Sequence, residues 1–280
     1  MSRMASIRAI EFGVLSPKAI RDMSVCEVVT SELYDNNHPK RGGLRDPRFG
    51  VASRRGMCTA CGQTWSACSG HFGHYELPVP VFHIGWQPEV LQWLRRTCTR
   101  CGRLHAVKAK KCPHCARPTS RYNRVNATTL KVVTPESVER LVHAQEALEI
   151  LQRLPPDDVL LFRPGRDGFH PAHLILTVLP IPPNCVRPSP TMDGEEVRGE
   201  DDITRRLLYI MRICQAYKRV ANENSTVVQH AVAKVQDAVH LYIDQTRMSS
   251  KQKNVQTTRQ KSISERLRGK QGRLRGTLMG

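Results

Sequence analysis

The sequence predicts a mixed α+β chain in which irregular, metal-bound loops carry much of the fold. Three observations point there. Seven of the ten cysteines fall in two tight clusters between positions 58 and 115. Two amphipathic segments, near 203–214 and 228–242, repeat their apolar residues at helical spacing. One short apolar run, 174–179, is bounded by prolines, and neither a βαβ alternation nor a ladder of hairpins dominates the rest.

Taken in order, residues 7–15 read as a short β-rich entry. Ser16-Pro17 then opens a helical turn, with Ser as the cap and Pro at the first position. Residues 35–56, rich in Asn, Pro, Gly and Arg, have loop chemistry. Thr134-Pro135-Glu136 reads as a helix start, followed by Val138, Leu141, Val142, Leu148 and Leu151 at helical intervals. The run LILTVL (174–179) reads as a buried strand stopped by Pro180, Pro182 and Pro183. An acidic stretch, 193–202, reads as a solvated loop feeding a helix whose positive end it faces. That helix places Ile203, Leu207, Ile210, Met211 and Cys214 on one face. After a break near Asn222–Asn224, a second helix aligns Val228, Ala231, Val232, Val235, Val239 and Tyr242, giving an antiparallel pair.

Charge narrows the function. The formal net charge is +18 over 280 residues, and Arg247–Gly280 alone holds ten Lys and Arg against Glu265. A run this basic attracts a polyanion by releasing its condensed counterions. Glycines at 269, 272, 276 and 280 punctuate it, and Ile263, Leu267, Leu274 and Leu278 give it something to pack with, so it reads as more than an idle tail. No apolar run approaches the roughly 20 residues of a spanning helix, and the first 25 residues lack an apolar core of a secretory signal. An intracellular, membrane-free protein is expected.

Ten cysteines in such a chain point to metal rather than disulfides. Cys58-x-x-Cys61 with Cys68 and His71 offers three sulfurs and one nitrogen; Cys98-x-x-Cys101 with Cys112-x-x-Cys115 offers four sulfurs. Four protein ligands leave no open position for water, so two structural zinc ions are expected, with cross-pairing through His74, His105 or His114 as the competing arrangement. Cys26, Cys185 and Cys214 lack partner spacing. The sequence contains no GxxxxGK[ST], HExxH or GxSxG string and no close carboxylate cluster for catalytic metal, so no catalytic residue is expected.

Seven strings, in order, resemble the N-terminal part of the largest subunit of DNA-dependent RNA polymerase of the eukaryotic polymerase II, archaeal and large DNA virus type. They are FGVLSP (12–17), GGLRDPRFG (42–50), CTACGQTWSACSGHFGHYEL (58–77), the paired CxxC units (98–115), LILTVLPIPPNCVRPS (174–189), RGEDDIT (198–204) and KSISERLRGKQGRLRGTLMG (261–280). Ser69, where the family usually has Pro, the short spacing of the second CxxC pair and the compact 116–170 region mark a divergent lineage.

The resemblance implies that 1–245 forms the clamp core and head, with zinc sites at 58–71 and 98–115 and the helical pair at about 200–243. It implies lid and rudder loops at 246–262 and the start of the switch region after them, so that 246–280 is the basic unit. Arg266, Arg268, Lys270, Arg273 and Arg275 are the expected phosphate contacts. Template DNA, the RNA–DNA hybrid, the second-largest subunit and other polymerase subunits are the implied partners. The magnesium-binding triple aspartate of the family has no counterpart here, so Mg2+ is expected only in the full polymerase. The chain is expected to be a fragment or one product of a split gene, its remainder on a separate chain, and to be inactive alone. Location follows lineage: the nucleus for a cellular eukaryote, the virion or host cell for a virus. The alternative is a stand-alone zinc-ribbon nucleic-acid-binding transcription regulator.

Overall fold

Ser16 starts the first helix as its chemistry requires: its hydroxyl accepts the Ala19 N–H at 3.0 Å and Pro17 occupies the first turn of α1 (Pro17–Asp22). The structure is a computed structural model that describes residues 13–36, 38–51, 56–126, 129–162, 169–189, 199–248 and 260–279. Most of the expected β-rich entry lies outside those residues, and 13–15 are not in a strand. The loop-rich region that follows holds a two-residue hairpin, β1 (Tyr34–Asp35) with β2 (His38–Pro39), and a 3-10 turn at Pro47–Phe49.

The central element is a long two-stranded antiparallel ribbon, β3 (Gly73–Phe82) against β7 (Ile175–Ile181). Pro78 and Pro80 cannot donate to a ladder, and the register shifts between Glu76 and Val81. The expectation that Pro180 stops the second strand is corrected: β7 runs through it to Ile181. Pro180 pairs with His74, whose N–H bonds to Cys26 O and whose carbonyl accepts Val28 N–H. His74 therefore turns its polar groups away from β7, the pair is a non-hydrogen-bonded one, and Pro180 removes no ladder bond.

The ribbon joins two apolar cores. At its Phe82–Ile175 end, α2 (Gln87–Leu94), α3 (Ala144–Gln152) and α4 (Pro156–Phe162) pack with the meander β4 (Arg121–Arg124), β5 (Leu130–Val133) and β6 (Glu139–Val142) around Trp93, Leu130 and Leu151. The single helix expected from 134 onward is here a strand and a later helix. Ser137 adopts φ +63° in a turn, the Thr134 N–H donates to the Val138 carbonyl at 3.0 Å and the Ser137 N–H to the Thr134 carbonyl at 2.9 Å, so the chain reverses into β6. Val138, Leu141 and Val142 mimic helical spacing, but only Val142 is buried. The helix begins at Ala144, where Leu148 and Leu151 do face the core.

At the other end, the expected helical pair is α5 (Asp202–Val220) and α6 (Ser225–Asp244), broken at 221–224. All five apolar residues expected on the α5 face are buried; on α6, Val235, Val239 and Tyr242 are buried and Val228, Ala231 and Val232 half-buried. Asp201 caps α5 by accepting the Ile203 N–H at 2.9 Å. The acidic stretch is not wholly solvated as read: Glu200 pairs with buried Arg45 at 2.6 Å, while 193–198 lie outside the described residues.

Arg187 sits at the centre of this end, with no exposed surface. Its Nε donates to Pro182 O at 2.8 Å, Nη1 to Thr204 Oγ1 at 3.3 Å and Nη2 to Leu44 O at 2.5 Å. Arg45 donates to Arg187 O at 2.7 Å, and the Arg187 guanidinium lies 5.7 Å from the centre of the Phe49 ring. Burial pushes the pKa of this guanidinium well below its ordinary value, to about 10.

α6 also docks on the end of β3 through polar groups. Gln236 pairs with both main-chain groups of Phe82, at 2.9 Å each, and His240 Nε2 donates to Phe82 O at 2.6 Å. Burial holds His240 neutral, its pKa lowered to about 4, and does the same to nearby His83. The unfolded chain binds those protons near pH 6.5, so this contribution is complete above 6.5 and declines as pH falls toward 4. Urea titration should show stability falling by about 2 kcal/mol per histidine between pH 7 and 5; a flat profile over that range would contradict the burial.

Candidate metal centres and nucleic-acid interface

Three CxxC units share one backbone device. In each, the N–H of the first Cys bonds to the carbonyl five residues on: Cys58 to Gln63, Cys98 to Arg103 and Cys112 to Arg117, at 2.8–3.0 Å. In each, the N–H after the second Cys returns to the first carbonyl: Gly62 to Cys58, Gly102 to Cys98 and Ala116 to Cys112. That returning residue must be left-handed, with φ of +69°, +71° and +57° in turn. Glycine enters this region without cost, whereas Ala116 enters it against the clash of its Cβ.

The turns bring the ligand atoms into the two expected groups, Cys58, Cys61, Cys68 and His71, and Cys98, Cys101, Cys112 and Cys115, each with its atoms within 4.8 Å of one another. Cys61 and Cys68 sulfurs are 3.7 Å apart, Cys98 and Cys115 are 3.6 Å apart, and Cys101 and Cys112 are 3.7 Å apart. A tetrahedral ion with metal–sulfur bonds of about 2.3 Å sets sulfurs about 3.8 Å apart. His71 Nε2 lies 3.6 Å from Cys68 Sγ, which matches a mixed sulfur–nitrogen edge of about 3.6 Å. A disulfide would need about 2.05 Å, and all ten cysteines are free. The residues therefore fit two four-coordinate metal ions.

The competing histidines are engaged or directed elsewhere. His74 Nδ1 meets Ser24 Oγ at 2.7 Å, His105 Nδ1 meets Ala106 O at 2.9 Å, and His114 belongs to neither group. Cys26 and Cys214 are buried, and burial pushes both thiols up to about 11. Cys98 differs: burial raises it, but the N–H groups of Cys101 and Arg100 and the neighbouring sulfurs outweigh that and bring it down to about 7.

Each centre is anchored to a different core. The first is locked by close backbone approach: a Cβ on Gly70 would meet Pro183 Cβ at 2.6 Å, and one on Gly73 would meet the Phe49 ring at 2.2 Å. The second leans on the α3–α4 junction, where Arg153 Nη1 donates to Thr99 O at 3.0 Å and Asp158 accepts from Leu104 N–H and Arg103. A Cβ on Gly102 would meet Arg153 O at 2.3 Å.

The C-terminal basic segment is docked by its own arginines. Arg266 pairs with Asp201 at 2.5 Å and Arg268 with Asp244 at 3.3 Å, while Lys261 N–H bonds to Asp202. A capping box between Ser262 and Glu265 starts α7 (Ile263–Leu267), and Gln245 also donates to Glu265 at 2.6 Å. Beyond it, Arg273–Leu278 forms a π-type turn. Lys270, Arg273 and Arg275 are exposed, and Arg266, Arg268, Lys270 and Arg273 border one open groove that Arg275 does not line. Leu267 and Leu274 do not pack as expected: they are exposed, while half-buried Ile263 packs against the core, and the Leu278 side chain lies outside the described residues. Residues 249–259, most of the stretch expected as lid and rudder, lie outside the described residues.

The family model for RNA polymerase Rpb1, domain 1, matches residues 4–111 and 105–278. The chain belongs to this family. It is 33% identical over 312 residues to DNA-directed RNA polymerase subunit Rpo1N of Sulfolobus acidocaldarius, covering 98% of this chain and 35% of that subunit. The subunit of the same name from Methanocaldococcus jannaschii is 32% identical over 320 residues (98% of this chain, 23% of the relative), and that from Methanothermobacter thermautotrophicus 32% over 316 residues (99% and 35%). The chain thus spans about a third or less of the relatives it matches. Among the described residues, no helix is long and apolar enough to cross a membrane.

The family match covers both cysteine groups and the basic segment, but the sequence reading missed a second basic region. From Val90 to Pro135 there are eleven Lys and Arg residues and no Asp or Glu. The signal was present in the sequence, concealed because the same residues carry the cysteine spacing.

Ala116 supplies the test of the shared turn. Ala116→Gly should stabilise the chain by about 0.5–1 kcal/mol in denaturant titration, because relief of the left-handed Cβ exceeds the added freedom of the unfolded state. A loss of stability would show that the third turn does not need this conformation.

Proposed function

We propose that this chain forms the clamp portion of the largest subunit of a multisubunit DNA-directed RNA polymerase, holding template DNA and the RNA–DNA hybrid during transcription. The observation that carries the proposal is the family match, which runs through both cysteine groups and into the basic segment. In this reading 1–245 is the clamp core and head, and 246–280 supplies the lid, the rudder and the start of the switch region.

Cys58, Cys61, Cys68 and His71 would hold one zinc ion, and Cys98, Cys101, Cys112 and Cys115 the other. Zinc there supplies folding energy and no reactive water, since every coordination position is taken by protein. Lys270, Arg273 and Arg275, exposed and outside the internal ion pairs, are the side chains best placed to neutralise nucleic-acid phosphates. Arg266 and Arg268 would act there too, from positions held by Asp201 and Asp244. The aspartates that bind catalytic magnesium lie on polypeptide outside these 280 residues, and the chain works with that polypeptide, the second-largest subunit and the other polymerase subunits inside a cell or virion.

Reconstitution tests this. Metal analysis of the purified chain should return two zinc ions, and the chain alone should extend no primed RNA. Added to the remaining largest-subunit polypeptide and the second-largest subunit, it should co-purify and restore RNA synthesis. A chain that stays monomeric while the others synthesise RNA without it would overturn the proposal and favour a separate regulator.

A further inference from the structure

We infer that the exposed face of the second metal module is an additional nucleic-acid contact that grips the phosphate backbone of a duplex without reading its sequence. The polymerase reading contributes only the class of ligand; the site itself follows from charge and shape.

Among the eleven basic residues in the acid-free stretch, Arg103 is neutralised by Asp158 at 3.2 Å and Lys131 by Glu139 at 2.9 Å, both acids from other segments. Arg100, Lys108, Lys110, Lys111, Arg117 and Arg121 are exposed and form no ion pair among the described residues. A divalent ion held by four thiolates carries a formal charge of −2, which leaves the module strongly positive. Such density of unpaired cations on a small surface costs self-repulsion, and a polyanion relieves it.

The charges converge on one feature. Lys108, Lys110 and Arg121 border a groove of about 710 Å³ between the 107–110 loop and the start of β4. Its floor is cationic and rigid, since Arg95 is fixed there by donating to Tyr122 O at 2.7 Å and Asn123 Oδ1 at 3.3 Å. Thr119 and Ser120 add hydroxyls to the wall. Nothing offers a face on which unpaired bases could stack: the one aromatic ring at the groove, Tyr122, is 2% exposed. Single-strand binders depend on such stacking, and protein partners on apolar anchors. Val107 is the one exposed large apolar side chain lining the groove, too little for an anchor cluster, and lysine, arginine and hydroxyl groups around it are suited to backbone phosphates, which position a duplex and carry no sequence information.

The test uses the full 280-residue chain and a 24-bp DNA duplex of arbitrary sequence, with affinity followed by fluorescence anisotropy across a salt series. The combined Lys108→Ala, Lys110→Ala, Arg121→Ala variant should lower the slope of log affinity against log salt by about 3, near one for each lost phosphate contact. Its metal content should match the parent, and its slope on single-stranded dT24 should change less. A parallel Lys270→Ala, Arg273→Ala, Arg275→Ala variant reports separately on the C-terminal segment. If only the C-terminal variant lowers the duplex slope, this inference fails and the clamp reading stands. If only the groove variant does, the inference holds and the C-terminal contact fails. Tighter binding of poly-glutamate than of duplex, lost in the groove variant, would assign the face to an acidic protein and overturn the inference.

Discussion

One buried cation organises the half of the molecule that carries the first metal centre. Arg187 reaches three chain segments from three different nitrogens: the Leu44 carbonyl, the Pro182 carbonyl and the Thr204 hydroxyl at the start of α5. Its own carbonyl accepts from Arg45, which in turn is held by Glu200. Desolvating a guanidinium is expensive, and only this number of well-placed acceptors makes it tolerable. The neighbouring Asn184 bonds to Gly50 O at 3.2 Å, and Pro183 packs where Gly70 has no side chain, so the ordering passes directly to the loop bearing Cys68 and His71. Strings that lie far apart in sequence, at 42–50, 68–73, 182–187 and 200–204, are thereby one packed unit.

The division of labour follows from this. Metal-shaped turns replace regular secondary structure where the chain is too rich in Gly, Pro and Arg to build it, and the long β3–β7 ribbon sets the two cores relative to each other. Positive charge then collects at two places, the docked segment after α6 and the acid-free face of the second metal module. What the chain provides is a rigid, cationic frame, in keeping with its membership of a polymerase subunit family whose relatives are about three or more times longer.

Much of this was legible in the sequence, and the exceptions have physical causes. CxxC spacing is a covalent constraint on a short loop, so the two ligand groups could be read directly, as could α5 and α6, whose apolar stripes are long enough to be unambiguous. The β5–β6 hairpin was not, because Val138, Leu141 and Val142 satisfy a helical period by accident and the deciding feature is the left-handed backbone of Ser137. Pro180 was misread because its effect depends on which side of the strand lacks a partner, a fact of pairing rather than of local sequence. Likewise, the docking of Arg266 and Arg268 depends on Asp201 and Asp244, more than twenty residues away, and no local pattern announces it.

The most direct test of the interlock is hydrogen exchange, followed by mass spectrometry, on Arg187→Lys. A lysine ammonium cannot reach acceptors that three separate guanidinium nitrogens now serve, and the loss should be about 2–4 kcal/mol. Exchange should accelerate across 42–50, 68–73 and 174–189, while 98–124, which packs on the other core, stays as protected as in the parent. Unchanged protection around the first metal loop, or an equal loss at both metal centres, would contradict the central place given to Arg187.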